Sequence, residues 1–573
     1  MASILNFSRP DVRPSSARDT RSAFFLSGAS LLGFVLFAFP AHAVLPNCSV
    51  SALSSLGIPN MTITSATDVP AAAGLPEFCD ILGSVATDGE GAGPSTSLFR
   101  IDLPDNWNQK FVFNGGGGFD GSTSRGSALE LTKGYATAST DSGHPASVGS
   151  TFAFTSPGVP NEPQLVDYFY RSRHQVGIAA KRLVRAYYKA KGIARSYFTG
   201  CSNGGKEGLM NAMRYPEDYD GIVAGAPWMD PLGTELWVLK NIKALVNAWI
   251  PPAAYPVINA AVMAQCDAAD GVVDGLIQNP AVCSFDPDSL VPATLTQAQA
   301  DALKLIIRPV LQDDGAFIYP GSPVSGLGAS VGSEERPTPP TNPAGPQPWG
   351  TLAAGPGNWN LSFGMIVNLG FYGQPVNLMT GVVETNGLFR DSALDVLYAN
   401  LAPNIVDQPS RLRKFLAKGH KLILWHGYDD SIITPYKTVQ FYQALAAQGG
   451  GYRETQEQVR LFMLPDTQHC GGGPGPNTFD SLTAMENWVE RGVAPESLVA
   501  SHSTGGVVDR TMPLCKFPEK ARYIGGNVNN AASWTCPSRD RSLLRVGRNG
   551  LQAGLRGGGD DNDRGDDDRG DDR

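Results

Sequence analysis

The sequence predicts an α/β protein with a parallel β-sheet covered by helices on both faces. Residues 110–113 and 221–225 are short apolar segments typical of buried strands, and residues 168–191 have the apolar periodicity of one long helix. Strands and helices of this kind alternate from residue 44 to about residue 231. This alternation favours a parallel sheet, because each crossover between parallel strands places a helix on a face of the sheet.

The same pattern resumes near the C-terminal end of the chain. Residues 421–425 and 459–464 predict two further buried strands, and residues 479–491 predict a closing helix with apolar residues at helical spacing. The α/β pattern is therefore predicted to come from two separate parts of the chain.

The segment between these parts predicts an inserted lid domain. Residues 229–409 lack regular strand–helix units and become rich in proline, glycine and asparagine. The segment also contains several tryptophans, which favours a packed insertion over a linker: Trp237, Trp249, Trp349 and Trp359. The predicted domain organisation is one α/β domain in two parts, residues 44–228 and 410–540, interrupted by this insertion.

The first 43 residues predict a cleavable export signal. Four arginines precede an apolar segment at residues 23–39, and Ala41-His42-Ala43 matches the small-residue pattern of a cleavage site. The apolar segment contains serines and a glycine and is short for a membrane span. The sequence therefore predicts a secreted or periplasmic protein without stable membrane insertion.

The chain carries a net charge of −9 at pH 7, and residues 541–573 end in repeats of glycine, aspartate and arginine. A segment of this composition cannot bury a core, so we predict a disordered acidic tail. The acidic balance argues against nucleic-acid binding, because proteins that bind nucleic acids present positive charge to the phosphates. No feature of the sequence predicts an oligomeric state.

All eight cysteines follow the predicted cleavage point. An even number of cysteines in an exported protein predicts disulfide bonds. The sequence alone does not determine the pairing, but proximity along the chain favours three pairs and leaves Cys201 and Cys470 for each other. Those three pairs are Cys48–Cys79, Cys266–Cys283 and Cys515–Cys536.

A G-x-S-x-G motif at residues 200–204 predicts a nucleophilic serine. The motif lies between a strand predicted at residues 195–199 and a helix predicted at residues 206–214, which is the arrangement of a nucleophile elbow. In this elbow a sharp turn lifts Ser202 clear of the sheet. A second copy of the motif, around Ser330, lies among prolines without a flanking strand or helix, so we assign the nucleophile to Ser202.

A serine hydroxyl is a weak nucleophile unless a base accepts its proton and a carboxylate orients that base. In folds with a nucleophile elbow the chain order is serine, acid, histidine. The pair Asp429 and Asp430 follows the strand at residues 421–425, and His469 follows the strand at residues 459–464. The competing base, His426, ends its strand directly before the acid loop, and we interpret it as structural.

His469 is distinguished by its neighbour Cys470, just as Ser202 is preceded by Cys201. A disulfide holds its two Cα atoms about 5.5–6 Å apart. A bond between these two cysteines would therefore hold the nucleophile and the base side by side.

Two backbone N–H groups are predicted to form the oxyanion hole. The first belongs to Asn203, the residue after the nucleophile. The second is expected from the glycine-rich segment 114–120, which follows an early strand, and we assign it to Gly116.

Three motifs together resemble the tannase and feruloyl esterase family of α/β-hydrolases. They are Gly200-Cys-Ser-Asn-Gly-Gly205, His426-Gly-Tyr-Asp-Asp430 and His469-Cys-Gly-Gly-Gly-Pro-Gly475. The resemblance extends over about residues 45–540 and implies an α/β-hydrolase fold with a large inserted lid domain. It also implies that the acid is the fifth residue of the H-G-x-x-D loop, which is Asp430 rather than Asp429.

An acidic loop in the insertion, residues 266–276, is a candidate metal site. Ca²⁺ prefers oxygen ligands, but the spacing of the aspartates differs from that of an EF-hand and is also typical of a solvated acidic turn. The resemblance implies a structural calcium ion here. The implied ligands are the side chains of Asp267, Asp270 and Asp274 and the backbone carbonyls of Val272 and Leu276.

The resemblance implies a serine carboxylic ester hydrolase that cleaves hydroxycinnamoyl, galloyl or related aromatic esters through an acyl-enzyme on Ser202. A hydrolase of terephthalate monoesters, or a general aryl or alkyl esterase, is the alternative. Arg308, Arg336 and Arg390 do not match a lid arginine that binds a free carboxylate, which favours a neutral aromatic acyl group. A non-catalytic binding protein on a hydrolase scaffold is a second class, which the presence of all three catalytic residue types disfavours.

Overall fold

The computed structural model describes residues 47–72, 74–246, 248–334, 358–383 and 389–537, with the backbone alone at residues 331–334. The predicted export signal and the predicted acidic tail lie outside the described residues. Among the described residues, no helix is long and apolar enough to cross a membrane.

A nine-stranded sheet forms the centre of the described structure. Its strands lie in the order β1-β2-β3-β5-β4-β6-β7-β8-β9. The first three are antiparallel to their neighbours and the other six are parallel. Their bounds are β1 Met61–Val69, β2 Phe78–Gly89, β3 Ala92–Pro104, β4 Lys110–Asn114, β5 Ala136–Thr140, β6 Arg195–Cys201, β7 Gly221–Gly225, β8 Lys421–Gly427 and β9 Val459–Leu464.

Helices connect and cover these strands. The α-helices are α1 Val50–Ser54, α2 Ala128–Thr132, α3 Glu162–Val166, α4 Ser172–Tyr187, α5 Asn203–Arg214, α6 Pro231–Leu245, α7 Tyr255–Cys266, α8 Gln297–Ile307, α9 Leu327–Glu334, α10 Trp359–Ser362, α11 Asp391–Leu401, α12 Arg413–Ala417, α13 Pro435–Gln448, α14 Tyr452–Thr455 and α15 Ser481–Arg491. Segments of π-helix lie at Asp167–Arg171, Phe363–Gly370 and Leu378–Val382. The helix predicted at residues 168–191 is therefore a π-helical turn followed by α4.

Four two-stranded pairs lie outside the large sheet. They are Phe154–Ser156 with Val159–Pro160, Val310–Leu311 with Phe317–Tyr319, Ser497–Thr504 with Val507–Cys515, and Arg522–Tyr523 with Trp534–Thr535. The third pair is a long hairpin that the sequence analysis did not predict.

The parallel strands bury both faces, because successive side chains of a strand point to opposite sides of the sheet. Phe111 and Phe113 of β4 join the largest core cluster, whereas Val112 between them joins a second cluster on the other face. Helix α15 covers that second face with Met485 and Trp488. The predicted parallel sheet with helices on both faces is confirmed for this part of the chain.

The antiparallel strands β1–β3 differ from the prediction of strand–helix alternation from residue 44 onward. The exposed and buried residues of β2 alternate along its C-terminal half. This alternation is typical of an antiparallel sheet with one solvated face. Here the chain forms a three-stranded meander before its first parallel strand.

The insertion is largely helical and has a core of its own. Ile258 of α7 packs with Leu303 and Ile306 of α8 in a separate hydrophobic cluster. Trp237 and Trp359, in contrast, are fully buried in the largest core cluster, which they share with residues of the sheet. The described part of the insertion is therefore packed, and its bounds as a lid domain stay a prediction.

All four predicted disulfide pairings are confirmed: the three that chain proximity favoured and the pair that remained, Cys201–Cys470. The bonds are Cys48–Cys79, Cys201–Cys470, Cys266–Cys283 and Cys515–Cys536.

Candidate active site

Ser202 lies at the turn between β6 and α5 and has the backbone conformation of a nucleophile elbow. Its φ is 64° and its ψ is −124°, a region that non-glycine residues rarely occupy. Two hydrogen bonds hold the turn, because the Ser202 N–H donates to the Gly225 carbonyl at 2.9 Å and the Trp228 N–H donates to the Ser202 carbonyl at 3.0 Å. Strain of this kind persists only where the surroundings over-determine the backbone.

The glycines of the motif are required by close backbone approaches. A Cβ on Gly200 would lie 2.6 Å from the backbone of Gly204. A Cβ on Gly204 would lie 2.8 Å from the carbonyl oxygen of Gly116 in the glycine-rich loop. The elbow and the loop after β4 are therefore in direct contact only because neither carries a side chain at these positions.

His469 and Asp430 form the predicted base–acid pair. His469 Nδ1 lies 2.6 Å from Asp430 Oδ2. Asp430 Oδ1 accepts the N–H groups of Ile432 at 2.8 Å and Ile433 at 2.9 Å. Because Nδ1 donates to the carboxylate, Nε2 of His469 is the ring nitrogen that is left to accept a proton.

Each member of this pair shifts the pKa of the other toward its charged form. Burial by itself would raise the pKa of Asp430, but the charge of His469 and the hydrogen bonds from both histidines hold it well below the ordinary range. Burial likewise opposes protonation of His469, yet the neighbouring carboxylate raises the pKa of His469 above its ordinary 6.5. Asp430 is therefore a stable anion opposite an imidazole that gains a proton readily.

His426 is the second partner of Asp430. Its Nε2 lies 2.9 Å from Asp430 Oδ2 and 3.1 Å from the Ile433 carbonyl, so this nitrogen carries the proton. Its Nδ1 accepts from the Thr438 hydroxyl at 2.8 Å. His426 is fully buried, which fits the structural role that we assigned to it.

Asp429 has a different environment from Asp430. Its N–H donates to the Thr467 carbonyl at 3.0 Å, and burial raises the pKa of its carboxyl to about 7. The hydrogen bond to His469 is made by Asp430, as the resemblance implied.

The Cys201–Cys470 disulfide joins the nucleophile elbow to the histidine loop. The two Cα atoms are 5.9 Å apart, and 269 residues separate the cysteines along the chain. Ser202 and His469 are each the immediate neighbour of one of these cysteines. The bond therefore limits the distance between the two residues predicted to exchange a proton.

The two predicted oxyanion donors differ in the structure. Asn203 is the first residue of α5, so its N–H has no partner within the helix. The N–H of Gly116, in contrast, donates to Glu207 Oε2 at 3.0 Å, and this hydrogen bond leaves it no free direction toward an oxyanion. Among the hydrogen bonds recorded for the described residues, none uses the N–H of the next residue, Gly117. The structure therefore favours Gly117 over our assignment of Gly116 as the donor from this loop.

The comparison with protein families decides the classification. The family model described as "Tannase and feruloyl esterase" matches residues 79–537. The chain belongs to the tannase and feruloyl esterase family. It is therefore a carboxylic ester hydrolase.

Relatives of this tannase-family chain include named hydrolases. It is 32% identical over 468 residues to a probable feruloyl esterase of Arthroderma benhamiae, covering 76% of this chain and 81% of that protein. It is 30% identical over 549 residues to the mono(2-hydroxyethyl) terephthalate hydrolase of Piscinibacter sakaiensis, covering 81% and 85%.

The fold is also similar to that of solved structures. The structure superposes on feruloyl esterase B from Aspergillus oryzae with a TM-score of 0.72 and 23% identity, covering 84% of this chain and 98% of that one. The α/β-hydrolase fold predicted for this family member is confirmed.

The acidic loop of this family member brings its three aspartates into one turn. Asp267 accepts the N–H groups of residues 274 and 275, and Asp270 accepts those of residues 272 and 278. Asp274 Oδ2 is buried without a hydrogen bond, and Arg510 Nη1 lies 3.8 Å from it. Within the described ranges, no group of three or more acidic, histidine or cysteine side chains has the disposition of a metal site.

Asp466 connects this acidic loop to the histidine loop. Its Oδ2 accepts the N–H of Ile277 at 2.7 Å, and its carbonyl accepts the N–H of Gly475 at 3.0 Å. Asp466 precedes His469 by three positions. This link could not be predicted from the sequence, because only the fold brings residue 277 beside residue 466.

The sequence analysis also missed four buried charged residues around the elbow: Asp120, Arg173, Lys206 and Glu207. Arg173 Nη2 lies 2.5 Å from Glu207 Oε1, and Lys206 Nζ donates to Asn404 Oδ1 at 2.6 Å. The available signal was the position of Lys206 and Glu207 directly after the motif, on a helix predicted to pack against the sheet.

We expect Asp430→Asn to lower kcat by about 10³- to 10⁴-fold, because His469 loses the anion that orients it and stabilises its protonated form. His469 must be neutral to act as a base, and its pKa is raised, so kcat/KM of the unmodified enzyme falls as pH drops through a value above 6.5. In Asp430→Asn this fall of kcat/KM occurs at lower pH, because the carboxylate that raises the pKa of His469 is gone. The matched control Asp429→Asn should keep both kcat and the pH dependence of kcat/KM. The opposite outcome for the two aspartates would contradict the assignment of Asp430 as the acid.

Proposed function

We propose that this esterase hydrolyses aromatic carboxylic esters through an acyl-enzyme on Ser202. The observation that carries the proposal is the His469–Asp430 pair, in which His469 Nδ1 lies 2.6 Å from Asp430 Oδ2 and the loop of His469 is joined by a disulfide to the residue before Ser202. A strained serine, an oriented imidazole and a buried anion are the parts that acyl transfer needs.

In the first half-reaction, Ser202 Oγ attacks the ester carbonyl carbon while His469 Nε2 accepts the hydroxyl proton. The carbonyl oxygen becomes an oxyanion that the N–H groups of Asn203 and Gly117 stabilise. The C–O bond to the alcohol then breaks, and His469 gives its proton to the departing oxygen. The alcohol leaves and the acyl group remains on Ser202.

In the second half-reaction, water replaces the alcohol. His469 Nε2 accepts a proton from the water as its oxygen attacks the acyl carbon, and the same N–H groups stabilise the second oxyanion. The bond from the acyl carbon to Ser202 Oγ breaks, and the serine recovers its proton from His469. The products are a carboxylic acid and the free enzyme.

The named relatives support an aromatic acyl group, since one is a probable feruloyl esterase and another hydrolyses mono(2-hydroxyethyl) terephthalate. Arg308 and Arg390, the arginines in the described part of residues 229–409, are both exposed. A buried arginine that binds a second, free carboxylate is therefore not found among the described residues of the insertion. This favours neutral hydroxycinnamoyl or galloyl esters, with terephthalate monoesters as the second candidate.

We also propose that the esterase is exported and is secreted or periplasmic. Four disulfides support this location, because such bonds persist in oxidising compartments. The N-terminal sequence pattern supports it independently.

A structural calcium ion at the acidic loop is the last part of the proposal. Asp267, Asp270 and Asp274 offer carboxylate oxygens on one turn, and the buried Asp274 Oδ2 has no hydrogen-bond donor. Arg510 Nη1 comes no nearer to this oxygen than 3.8 Å, whereas a calcium ion would bind it directly. The carbonyls of Val272 and Leu276 would complete the set of oxygen ligands.

The substrate class is tested by kcat/KM for a panel of methyl ferulate, methyl gallate, mono(2-hydroxyethyl) terephthalate and methyl butyrate. We expect the neutral aromatic esters to have the highest kcat/KM, and Ser202→Ala to abolish hydrolysis of all four while keeping the melting temperature. A preference for the terephthalate monoester would select the second candidate. A preference for the alkyl ester would contradict an aromatic substrate.

For calcium, we expect EDTA to lower the melting temperature and added Ca²⁺ to restore it, because an ion bound to the folded state alone stabilises that state. The double variant Asp270→Asn/Asp274→Asn should have the lower melting temperature without EDTA and no response to it. Native mass spectrometry that finds no bound Ca²⁺ in the unmodified protein would contradict the site.

A further inference from the structure

A buried charge cluster, composed of Asp120, Arg173, Lys206 and Glu207, surrounds the start of α5. The side chains of Lys206 and Glu207 are completely inaccessible, and those of Asp120 and Arg173 are 1% exposed. Burying charges is costly, and it is tolerated where each charge has partners. The ester-hydrolysis steps described above use none of these four side chains, so their positions require another explanation.

Glu207 bonds both segments that carry the proposed oxyanion-hole donors. Its Oε2 accepts the N–H of Gly116 in the glycine-rich loop at 3.0 Å. Its Oε1 accepts the side-chain amide of Asn203 at 3.0 Å. One carboxylate therefore bonds the residue before Gly117, the donor that the structure favours in this loop, and the side chain of Asn203, which carries the other donor.

Asp120 closes the same connection from the far end of the glycine-rich loop. Its Oδ1 accepts the side-chain amide of Asn203 at 2.5 Å, and Arg173 Nη2 lies 3.5 Å from its Oδ2. Asn203 is thus held between Asp120 and Glu207. The loop cannot shift along α5 without breaking one of these hydrogen bonds.

The backbone geometry makes this bridge possible. A Cβ on Gly115 would lie 2.7 Å from the Cα of Gly204 and 2.9 Å from Glu207 Oε2. The loop therefore lies directly against the first turn of α5, within reach of a glutamate one turn after Asn203. An aspartate at position 207 would be one methylene too short to make the same contacts.

The cluster keeps Glu207 as an acceptor. Burial by itself would raise the pKa of Glu207, but the Arg173 guanidinium lowers it below the ordinary value. An ionised carboxylate accepts at both oxygens and donates at neither. Glu207 can therefore accept hydrogen bonds from Gly116, Asn203 and Arg173 at once.

We propose that Glu207 is a positioning residue that sets the spacing of the two oxyanion-hole N–H groups by binding the glycine-rich loop and Asn203 together. The inference rests on the proposed acyl-enzyme function. A change in this spacing should lower kcat rather than weaken substrate binding. The reason is that the two N–H groups must reach the oxygen of the tetrahedral intermediate rather than that of the bound ester.

The test is Glu207→Gln, which has nearly the same shape but one acceptor oxygen fewer. Whichever way the amide is turned, its NH₂ group faces a donor: the N–H of Gly116, or Asn203 and Arg173. We expect kcat for methyl ferulate to fall about 10- to 100-fold with KM changed by less than about threefold. Affinity for an aryl trifluoromethyl ketone, which forms a tetrahedral adduct with serine, should fall by the same factor, whereas affinity for free ferulate should not.

Asp102→Asn is the matched control. Asp102 is also buried and accepts a glycine N–H, that of Gly126 at 2.8 Å, but it lies on β3 in the antiparallel part of the sheet. We expect this variant to keep kcat within about twofold. If kcat falls in Glu207→Gln and not in Asp102→Asn, the loss of a buried carboxylate is not by itself the cause.

Asn203→Ala decides the question if Glu207→Gln does not fold. It keeps the backbone N–H of residue 203 and removes the amide that reaches Glu207 and Asp120, so it should show the same fall in kcat and in ketone affinity. Unchanged kcat in a folded variant, or a loss confined to KM, would overturn the inference. Failure of the acyl-enzyme function itself is distinguishable, because the unmodified enzyme would then hydrolyse no ester of the panel, or Ser202→Ala would still hydrolyse them.

Discussion

The active site depends on one covalent constraint, the disulfide between Cys201 and Cys470. It joins the last residue of β6 to the loop after β9, and 269 residues separate the two cysteines along the chain. Residues on both sides of the bond have strained backbones, since φ is 64° at Ser202 and 57° at Cys470. Strain of about 1–3 kcal/mol per residue is tolerated where the surroundings hold the backbone, and the bond contributes to that restraint.

Around this bond, charge is organised in two separate places. Asp430 receives two backbone N–H groups and two imidazole N–H groups, which hold it as the anion that His469 needs. On the other side of Ser202, the buried charge cluster bonds the glycine-rich loop to α5. Asp466, on the same loop as His469, accepts the N–H of Ile277, which directly follows the acidic loop of the insertion. The insertion is thus connected to the histidine loop by a direct hydrogen bond rather than by packing alone.

Much of this organisation could be predicted from local sequence. The strands at residues 221–225 and 459–464 have the predicted bounds, because largely apolar segments of this length are typical of strands buried on both faces of a parallel sheet. What could not be predicted depends on contacts between distant segments. Charged residues are almost never buried without partners, so Glu207 reads as a surface residue until Arg173 is known to lie beside it. Gly116 was assigned as a donor for the same reason, since only the fold brings the Glu207 carboxylate to its N–H.

The most direct test of this account is kcat and melting temperature for Cys201→Ala/Cys470→Ala, with Cys515→Ala/Cys536→Ala as the matched control. Both variants lose a disulfide and should unfold at a lower temperature, because the unfolded chain gains freedom. Only the first should lose kcat, by about 100-fold, since a displacement of about 1 Å between nucleophile and base has that effect. Full activity in the first variant, or recovery of Cys201 and Cys470 as free thiols in the unmodified enzyme, would contradict the account.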